Sequence, residues 1–421
     1  MYRNKLTCLW ALTTLILIFS CGKSGSKPSP TTAPPGSVNI NLGYSDPGAK
    51  FELIISEPAG KVLLDTMATG PAPVVATLRT NDSLLDVTSV VSGGNQYSIQ
   101  TLRSINPSTL KWLDFGGYIM AYGLKAGNTT PASIYYKNIP PGILTTTLAP
   151  QFLFTNYPWN EFSGAGIDPY ANSVSVTYNR YPGNYAYFLL PGAGLYSLHM
   201  QVNARDTIDC SHLDTAVALT FNRPEPFTVS ALYSSFIGIP DTTDMTKVIS
   251  FSDFFLAAPS RPGVDLEYPN IPVQKYELNV YATNASNDAV GYYCYTNEIP
   301  LTLPLVKESD FTISSSTDAN FSVTFSGTKP SYYRTYWKSD SVYWDIISPD
   351  DAGSFDPTTL IANQKSRMLQ GIDLSSMQIQ EFEMENVDGM PYRTWLPYIT
   401  DPSQISSHRI SFAANLIKSF P

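Results

Sequence analysis

The feature that most constrains the fold is an alternation of apolar and polar residues with a period of two. It runs through residues 38–42, 51–55, 84–88 and 97–102, with Pro- and Gly-containing turns between the segments. Successive side chains of a β-strand point to opposite faces, so this alternation predicts strands that bury one face. Because the segments recur about every 10 residues without helical segments between them, we predict an all-β fold of tandem antiparallel β-sandwich (Ig-like) domains.

Two proline-rich stretches, near residues 139–150 and 259–272, suggest domain boundaries. They predict β-sandwich domains at 37–150 and 151–262 and a β-rich C-terminal domain at 263–421. The strand spacing of the second domain resembles that of the first. The second domain is therefore either a duplicate of the first or shares only the spacing of its strands.

One short helix is predicted in the C-terminal domain. Asp356 is a good N-cap, Pro357 suits the first helical position, and Gly371 can close the helix.

The N-terminus has the three zones of a secretory signal. Arg3 and Lys5 precede an apolar run at 6–19, which is too short for a permanent membrane span of about 20 residues. The run ends at Ile18-Phe19-Ser20-Cys21, which resembles the lipobox of bacterial lipoproteins. The resemblance implies a signal peptide at 1–20, a lipidated Cys21 and a flexible tether at 21–36; the alternative is an ordinary signal with an incidental cysteine.

A lipidated Cys21 implies that the protein reaches the membrane through its lipid. Two acyl chains give stable anchoring where one chain is reversible. Gly22 follows the cysteine, whereas the inner-membrane retention signal of some lipoproteins has Asp at that position. The resemblance therefore favours the outer membrane and leaves open whether the protein faces the periplasm or the cell surface.

Composition excludes some classes of protein. The formal net charge is −9 and the chain has no basic cluster, which argues against a nucleic-acid partner because phosphate binding needs Lys and Arg. The content of 43% hydrophobic and 13% aromatic residues is enough to fill a core and argues against disorder.

Motifs for catalysis and metal binding are missing from the sequence. The three histidines, His199, His212 and His408, are not at the spacing of a zinc site, and no nucleophile elbow, phosphate loop or dinucleotide fingerprint occurs. We therefore predict no metal, no cofactor and no catalytic residue. A glycosidase stays open, since the fold and not the spacing brings its two carboxylates together.

Two cysteines remain beyond the lipobox, Cys210 and Cys294. An exported protein is in a compartment that permits disulfides, so the two can pair. Two buried free thiols are the alternative.

An aromatic hairpin is the strongest local signal for binding. Alternation places Tyr332, Arg334, Tyr336 and Lys338 on one face of its first strand, and rings beside cations do not form a core. Such a surface can bind a glycan or a protein partner. The alternative is that the tyrosines cover a domain interface or pair across strands. The candidate binding platform comprises Tyr332, Arg334, Tyr336, Trp337, Lys338, Tyr343, Trp344 and Asp345.

Beyond the lipobox, the chain resembles the tandem-β-sandwich lipoproteins of Bacteroidota, such as starch-binding outer-membrane lipoproteins and lipoprotein fimbrillins. No motif of these families matches residue by residue, so no functional position carries over. Three functions follow as hypotheses: a non-catalytic binding module for a glycan or protein, a fimbrillin-like structural or adhesive subunit, and an extracytoplasmic polysaccharide hydrolase. The binding module ranks first because it fits the aromatic hairpin.

Overall fold

In the computed structural model, the described residues are 36–44, 48–110, 112–113, 130–144, 153–154, 162–180, 185–190, 193–222, 230–243, 248–257, 263–300, 303, 305–307, 310–327, 329–374, 376–399 and 410–420. The signal peptide, Cys21 and the tether lie outside them. None of the helices in the described ranges is both long enough and apolar enough to cross a membrane.

Strands dominate the described residues, which confirms the all-β prediction. In chain order they are β1 (Ser37–Tyr44), β2 (Lys50–Ser56), β3 (Val62–Thr69), β4 (Val74–Arg79), β5 (Leu85–Gly93), β6 (Gln96–Ile105), β7 (Trp112–Leu113), β8 (Thr130–Lys137), β9 (Leu153–Phe154), β10 (Phe162–Asp168), β11 (Ser173–Arg180), β12 (Ala186–Leu190), β13 (Leu195–His199) and β14 (Arg205–Asp209). They continue as β15 (Asp214–Thr215), β16 (Val217–Asn222), β17 (Ala231–Ile239), β18 (Ile249–Ala257), β19 (Gly263–Tyr268), β20 (Lys275–Thr283), β21 (Ala289–Thr296), β22 (Phe311–Thr317), β23 (Asn320–Phe325), β24 (Tyr332–Lys338), β25 (Val342–Ser348), β26 (Ser354–Phe355), β27 (Gln378–Val387) and β28 (Phe412–Ser419).

The described residues also form two α-helices, α1 (Pro357–Gln364) and α2 (Tyr392–Ile399). The predicted start of α1 is confirmed, because the Asp356 carboxylate accepts the backbone N–H of Thr359 and Pro357 begins the helix. The predicted end at Gly371 is wrong. The helix closes at Lys365, which adopts a left-handed conformation (φ 51°) and donates its N–H to the Ala362 carbonyl.

One large sheet organises the molecule. Its twelve strands are hydrogen-bonded in the order β18-β17-β20-β21-β28-β27-β24-β25-β6-β5-β2-β3. Neighbours pair antiparallel except β25 and β6, which pair in parallel. The smaller sheets among the described residues are β4-β1-β7, β10-β11-β8-β14, β15-β13-β12-β9, β16-β19 and β22-β23-β26.

This sheet contains strands from all three predicted domains. β6 lies before residue 150 and β25 beyond residue 262, and they are direct neighbours. β17 pairs with β20, and β16 with β19, across the predicted boundary at residue 262. The three segments as independent folding units, and the duplication of the first, stay predictions.

Smaller sheets cover the large one on both faces. On one face, Ile40 and Leu42 of β1 pack with Phe51 and Leu53 of β2. On the other, Phe321 of β23 contacts residues of β24 and β27. Each pair of layers buries its facing apolar side chains in the manner of a β-sandwich.

The sheet containing β12 is a middle layer, since every residue of β12 is buried. Phe188 joins a core with β8, β11 and β14 on one side. Tyr187 points to the other side and donates its hydroxyl to the Phe251 carbonyl of β18 at 2.8 Å. The molecule is therefore three layers deep at this point.

Candidate functional site

The predicted aromatic hairpin is β24 and β25, at the centre of the twelve-stranded sheet. β24 lies between β27 and β25, and β25 lies between β24 and β6. The two strands are joined by the turn at 339–341, and Tyr336 stands opposite Asp345. Hydrogen bonds to neighbouring strands on both edges set the backbone position of this hairpin within the sheet.

The two tryptophans of the predicted platform belong to the core, which corrects the prediction. Trp337 is 0% exposed and Trp344 is 1% exposed. Their indole N–H groups donate to the hydroxyls of Thr335 and Thr101 at 2.9 Å and 3.0 Å. They face the β22–β23 sheet, where Phe321 packs against Trp337, so neither can contact a ligand at the surface.

Tyr332 is also buried, at 3% exposure, so it does not belong to an exposed platform. It lies on the face with Arg334, as alternation predicted, but α2 covers it. Its ring stacks on Trp395 at 4.2 Å with an interplanar angle of 21°. Its hydroxyl donates to the carboxylate of Glu385 on β27.

The remaining platform residues are accessible to solvent. Arg334, Tyr336, Tyr343 and Asp345 are half-buried, and Lys338 is exposed. The Tyr336 and Tyr343 rings lie 6.3 Å apart and nearly parallel, with an interplanar angle of 13°. The predicted cross-strand pairing of tyrosines is therefore present on the same face as the predicted binding surface.

Cations are positioned at both ends of this tyrosine pair. The Arg334 guanidinium lies 6.0 Å from the centre of the Tyr336 ring, and the Lys338 ammonium lies 5.5 Å from that of Tyr343. Gln96 donates its amide to the Tyr343 hydroxyl at 3.2 Å. The order is thus cation, ring, ring, cation, which holds both rings in place.

A chain of polar contacts crosses four strands beside the tyrosines. Arg334 donates to Asp345 on β25 through Nε at 2.8 Å and to Glu383 on β27 through Nη1 at 3.4 Å. Asn415 on β28 donates to the other oxygen of Glu383 at 2.7 Å. The order Asp345–Arg334–Glu383–Asn415 therefore forms a continuous polar strip.

The strip alters the acidity of its members. Burial raises the pKa of Asp345, and the Arg334 charge opposes this. Burial disfavours the charge of Arg334, but Asp345 and Glu383 outweigh it and raise the pKa of the guanidinium. Burial and the Glu383 charge raise the pKa of Glu385, at the α2 end of the same face, to about 8.

Sequence reasoning missed Tyr281 and Glu381, which belong to the same face. Tyr281 on β20 is 39% exposed, and directly opposite it on β17 Tyr233 is 37% exposed. Glu381 on β27 stands opposite Tyr336. Local sequence gives no signal for which strands would be neighbours in the sheet, so neither residue could be assigned to this surface. We call the surface formed by Tyr281, Arg334, Tyr336, Tyr343 and Glu381 the open face.

Of the two alternatives for the cysteines, the structure has the second, because Cys210 and Cys294 are both free and buried and form no disulfide. They belong to different cores: Cys210 packs between β8 and β12, and Cys294 packs within the large sheet. Within the described part of the chain, no group of three or more His, Cys, Asp or Glu residues is arranged to hold a metal ion.

Comparison with known proteins adds little. No family model matches the chain, and no curated protein matches it. Among solved structures, the crystal structure of BcpA, the major pilin subunit of Bacillus cereus, aligns with 63% of this chain and 97% of its own, at 8% identity and a TM-score of 0.12. A TM-score this low carries no argument about fold or function.

Proposed function

We propose that this protein is an outer-membrane lipoprotein, anchored through Cys21, that binds a polysaccharide without cleaving it. The observation that carries the proposal is the Tyr336–Tyr343 pair, fixed at 6.3 Å on the open face. Rings that are already ordered lose little conformational entropy on binding. Their hydrocarbon surface can cover the apolar C–H groups of sugars while their hydroxyls form hydrogen bonds.

The polar groups around the rings match the rest of a carbohydrate. Asp345, Glu381 and Glu383 supply carboxylate oxygens that accept from sugar hydroxyls, and Lys338 supplies a donor at the rim. Hydrogen bonds to charged groups are stronger than neutral ones, so such groups give orientation and specificity. Because the face lies on strands paired on both sides, binding needs no folding of a loop.

Affinity electrophoresis of the purified full-length protein through gels containing single polysaccharides tests this function, with a product assay on each lane. Tyr336→Ala and Tyr343→Ala should each weaken retardation by about tenfold, by analogy with aromatic side chains that stack on nucleic-acid bases, which contribute roughly 1–3 kcal/mol each. Tyr170→Ala is the matched control, because that side chain is 96% exposed and lies in a turn away from the open face. Its retardation should equal that of the wild type.

Other outcomes of this experiment would support a different function. Retardation accompanied by product favours a hydrolase. Retardation by no polysaccharide overturns the glycan proposal and leaves a protein partner for the open face. Tyr336→Phe separates binding from folding, because it keeps the ring and its packing and removes only the hydroxyl.

The lipid anchor has its own test. Cells fed an alkyne-labelled fatty acid should incorporate label into the protein, and the protein should sediment with the outer membrane. Cys21→Ser should abolish both the label and the sedimentation, while Cys8→Ser should change neither. Labelling that survives Cys21→Ser would overturn the anchor.

One observation favours the fimbrillin-like structural subunit as a second candidate. β3 ends the twelve-stranded sheet, and β2 is its hydrogen-bonded neighbour in that sheet. An outer strand of eight residues can accept a strand from another molecule. Polymers that grow with protein concentration, and that vanish in Thr66→Pro, would support this function; a monomer at all concentrations would contradict it.

A further inference from the structure

One row of side chains extends the surface around Tyr336 toward the interior. The strand registers place Tyr336 opposite Asp345, Asp345 beside Gln100, and Gln100 opposite Ser89, on the neighbouring strands β24, β25, β6 and β5. Residues that are direct partners on neighbouring strands project from the same side of a sheet. Gln100 and Ser89 therefore lie on the face that carries Tyr336 and Asp345.

Exposure falls along this part of the sheet, and Gln100 stands where it ends. On β6, Ser98 is exposed, Gln100 is 6% exposed, and Leu102 belongs to the core that includes β1. On β25, the half-buried Asp345 is followed on the same face by the buried Ile347. The row is therefore the inner limit of the accessible surface, with solvent on one side and the core on the other.

The two inner members of the row have unpaired polar atoms. Gln100 Oε1 and Ser89 Oγ have no hydrogen-bond partner among the described residues, although Ser89 is only 1% exposed. A buried polar group without a partner destabilises the folded state, and one reason for its retention is a ligand that supplies the partner. Of the two, Gln100 is the one that borders the accessible surface.

The polar groups of the row are complementary to sugar hydroxyls. The Gln100 amide has both an acceptor and donors, and rotation about its terminal torsion turns Oε1 toward the surface without moving the backbone. Of two adjacent hydroxyls on a hexose ring, one can donate to Oε1 while the other accepts from Nε2. Asp345 accepts from Arg334 through Oδ1, which leaves Oδ2 for a further hydroxyl.

Charge on this face disfavours acidic sugars. Asp345 and Glu383 share one cation, Arg334, so their two negative charges are balanced by a single positive one. A uronate or sulfate group beside these carboxylates would meet repulsion. The acidic group would also offer Gln100 Oε1 no donor.

We infer that Gln100, Asp345 and Tyr336 form a subsite for one ring of a neutral polysaccharide whose hexose units carry two adjacent free hydroxyls, as 1→4-linked units do. Tyr336 covers the apolar face of the ring, and Asp345 and Gln100 bond its hydroxyls. The bound ring then supplies the partner that Gln100 Oε1 lacks in the free protein. This inference names the class of polysaccharide and rests on the proposed function.

Isothermal titration calorimetry with the full-length protein tests the subsite, using four hexasaccharides. Cellohexaose and mannohexaose are neutral and have the adjacent pair in every unit. The internal units of laminarihexaose lack it because they are 1→3-linked, and hexagalacturonate has the pair but is acidic. The wild type should bind cellohexaose or mannohexaose at least about tenfold more tightly than the other two.

Gln100→Met should weaken this binding by about tenfold. The midpoint of thermal unfolding should stay the same or rise, because an apolar side chain of similar volume replaces a buried amide whose oxygen is unpaired. This combination of lost affinity and kept stability is what a binding role predicts. A structural role alone would instead lower the midpoint and leave the affinity unchanged.

Gln364→Met is the matched control. Gln364 in α1 is also buried with an unpaired Oε1, but its Nε2 donates to the Thr88 hydroxyl at 2.7 Å. Thr88 precedes Ser89 on β5 and so projects from the opposite face of the sheet. The same substitution there should lower the unfolding midpoint and leave the affinity for each hexasaccharide unchanged.

The outcomes separate this inference from the proposed function. If laminarihexaose or hexagalacturonate binds as tightly as the better of the other two, or if the affinity survives Gln100→Met, the subsite is overturned while binding by the tyrosine pair stands. Binding to none of the four hexasaccharides also overturns the subsite. Retardation by no polysaccharide in affinity electrophoresis overturns the proposed function as well.

Discussion

The side-chain amide of Asn415 occupies the space that a side chain at Gly291 would fill. The two residues stand opposite each other on β28 and β21, and a Cβ atom built on Gly291 would collide with Asn415 Oδ1. The absence of that Cβ lets the amide reach Glu383 at 2.7 Å and complete the polar strip.

Gly291→Ala should therefore act through Asn415. The substitution displaces the amide and breaks its hydrogen bond to Glu383, so we expect the free energy of unfolding to fall by roughly 1–2 kcal/mol. Asn415→Ala should cost a similar amount. The double variant should cost no more than the larger single effect, because both changes remove one interaction. Urea unfolding measures all three, and strictly additive losses would show that the two residues act independently.

Glu52→Ala should lower the free energy of unfolding more than most surface substitutions do. The Glu52 carboxylate is 0% exposed and accepts from the Ser366 hydroxyl at 2.5 Å and the backbone N–H groups of Arg367 and Met368 at 2.7 Å and 3.0 Å. Its removal leaves these donors without an acceptor, at a cost of about 2–4 kcal/mol. Asp65→Ala is the control.

Asp65 contacts the same Arg367, but through an ion pair whose arginine side chain is 52% exposed. Solvent screens such an exposed pair, so it should contribute much less to stability than the buried Glu52 cap. Equal losses from the two substitutions would mean that the exposed ion pair, and not the buried cap, holds the segment after α1.

Stability should fall between about pH 4.5 and pH 8 because of Glu385. Burial and the Glu383 charge raise its pKa in the folded protein from 4.5 to about 8, so folding favours its protonated form. The stability it contributes is complete below pH 4.5 and is lost as the pH rises through about 8. The slope can reach at most about 1.4 kcal/mol per pH unit.

Glu385→Gln should flatten this decline, since an amide cannot ionise. Denaturant unfolding at intervals from pH 5 to pH 8 compares the slopes of the two proteins. Arg334, Glu383 and Tyr332 surround the carboxyl and are unchanged in the variant. Parallel slopes would assign the pH dependence to other groups.

The two core thiols should be unreactive in the folded protein. Burial raises the pKa of the Cys210 thiol to about 12 and also raises that of Cys294. At pH 8 both are protonated and shielded, and the protonated thiol is a poor nucleophile. Peptide mapping after iodoacetamide treatment should find neither alkylated before denaturation and both after it. A peptide pair joined by a Cys210–Cys294 disulfide would contradict the structure.

The local sequence pattern predicts the strands and which of their side chains lie on each of the two faces. In β24 it placed Tyr332, Arg334, Tyr336 and Lys338 on one face and Trp337 on the other, and this division is confirmed. Alternation shows which residues share a face, but it cannot show what covers that face. The pattern therefore predicts Trp337 and Tyr332 as surface residues, although the β22–β23 sheet buries Trp337 and α2 buries Tyr332.

Long-range pairing accounts for the rest of the site. Tyr281 and Glu381 share a face because β20, β21, β28 and β27 follow one another in the large sheet, and nothing in residues 412–419 indicates those neighbours. The predicted end of α1 is wrong for a local reason. Lys365 adopts the left-handed conformation that usually falls to a glycine at a helix end, and a lysine there gives no signal in the sequence.

The pairing of β25 with β6 has a consequence for how the chain folds. It brings Trp344 to Thr101, 243 residues away along the sequence, and it joins β6, β5, β2 and β3 to the rest of the sheet. Such distant partners make folding slow, because a long loop must close before its ends gain any contacts. While the later strands are still absent, β6 has an unpaired edge open to aggregation. A chain of this design is therefore expected to depend on protection of its first strands until β25 has been synthesised.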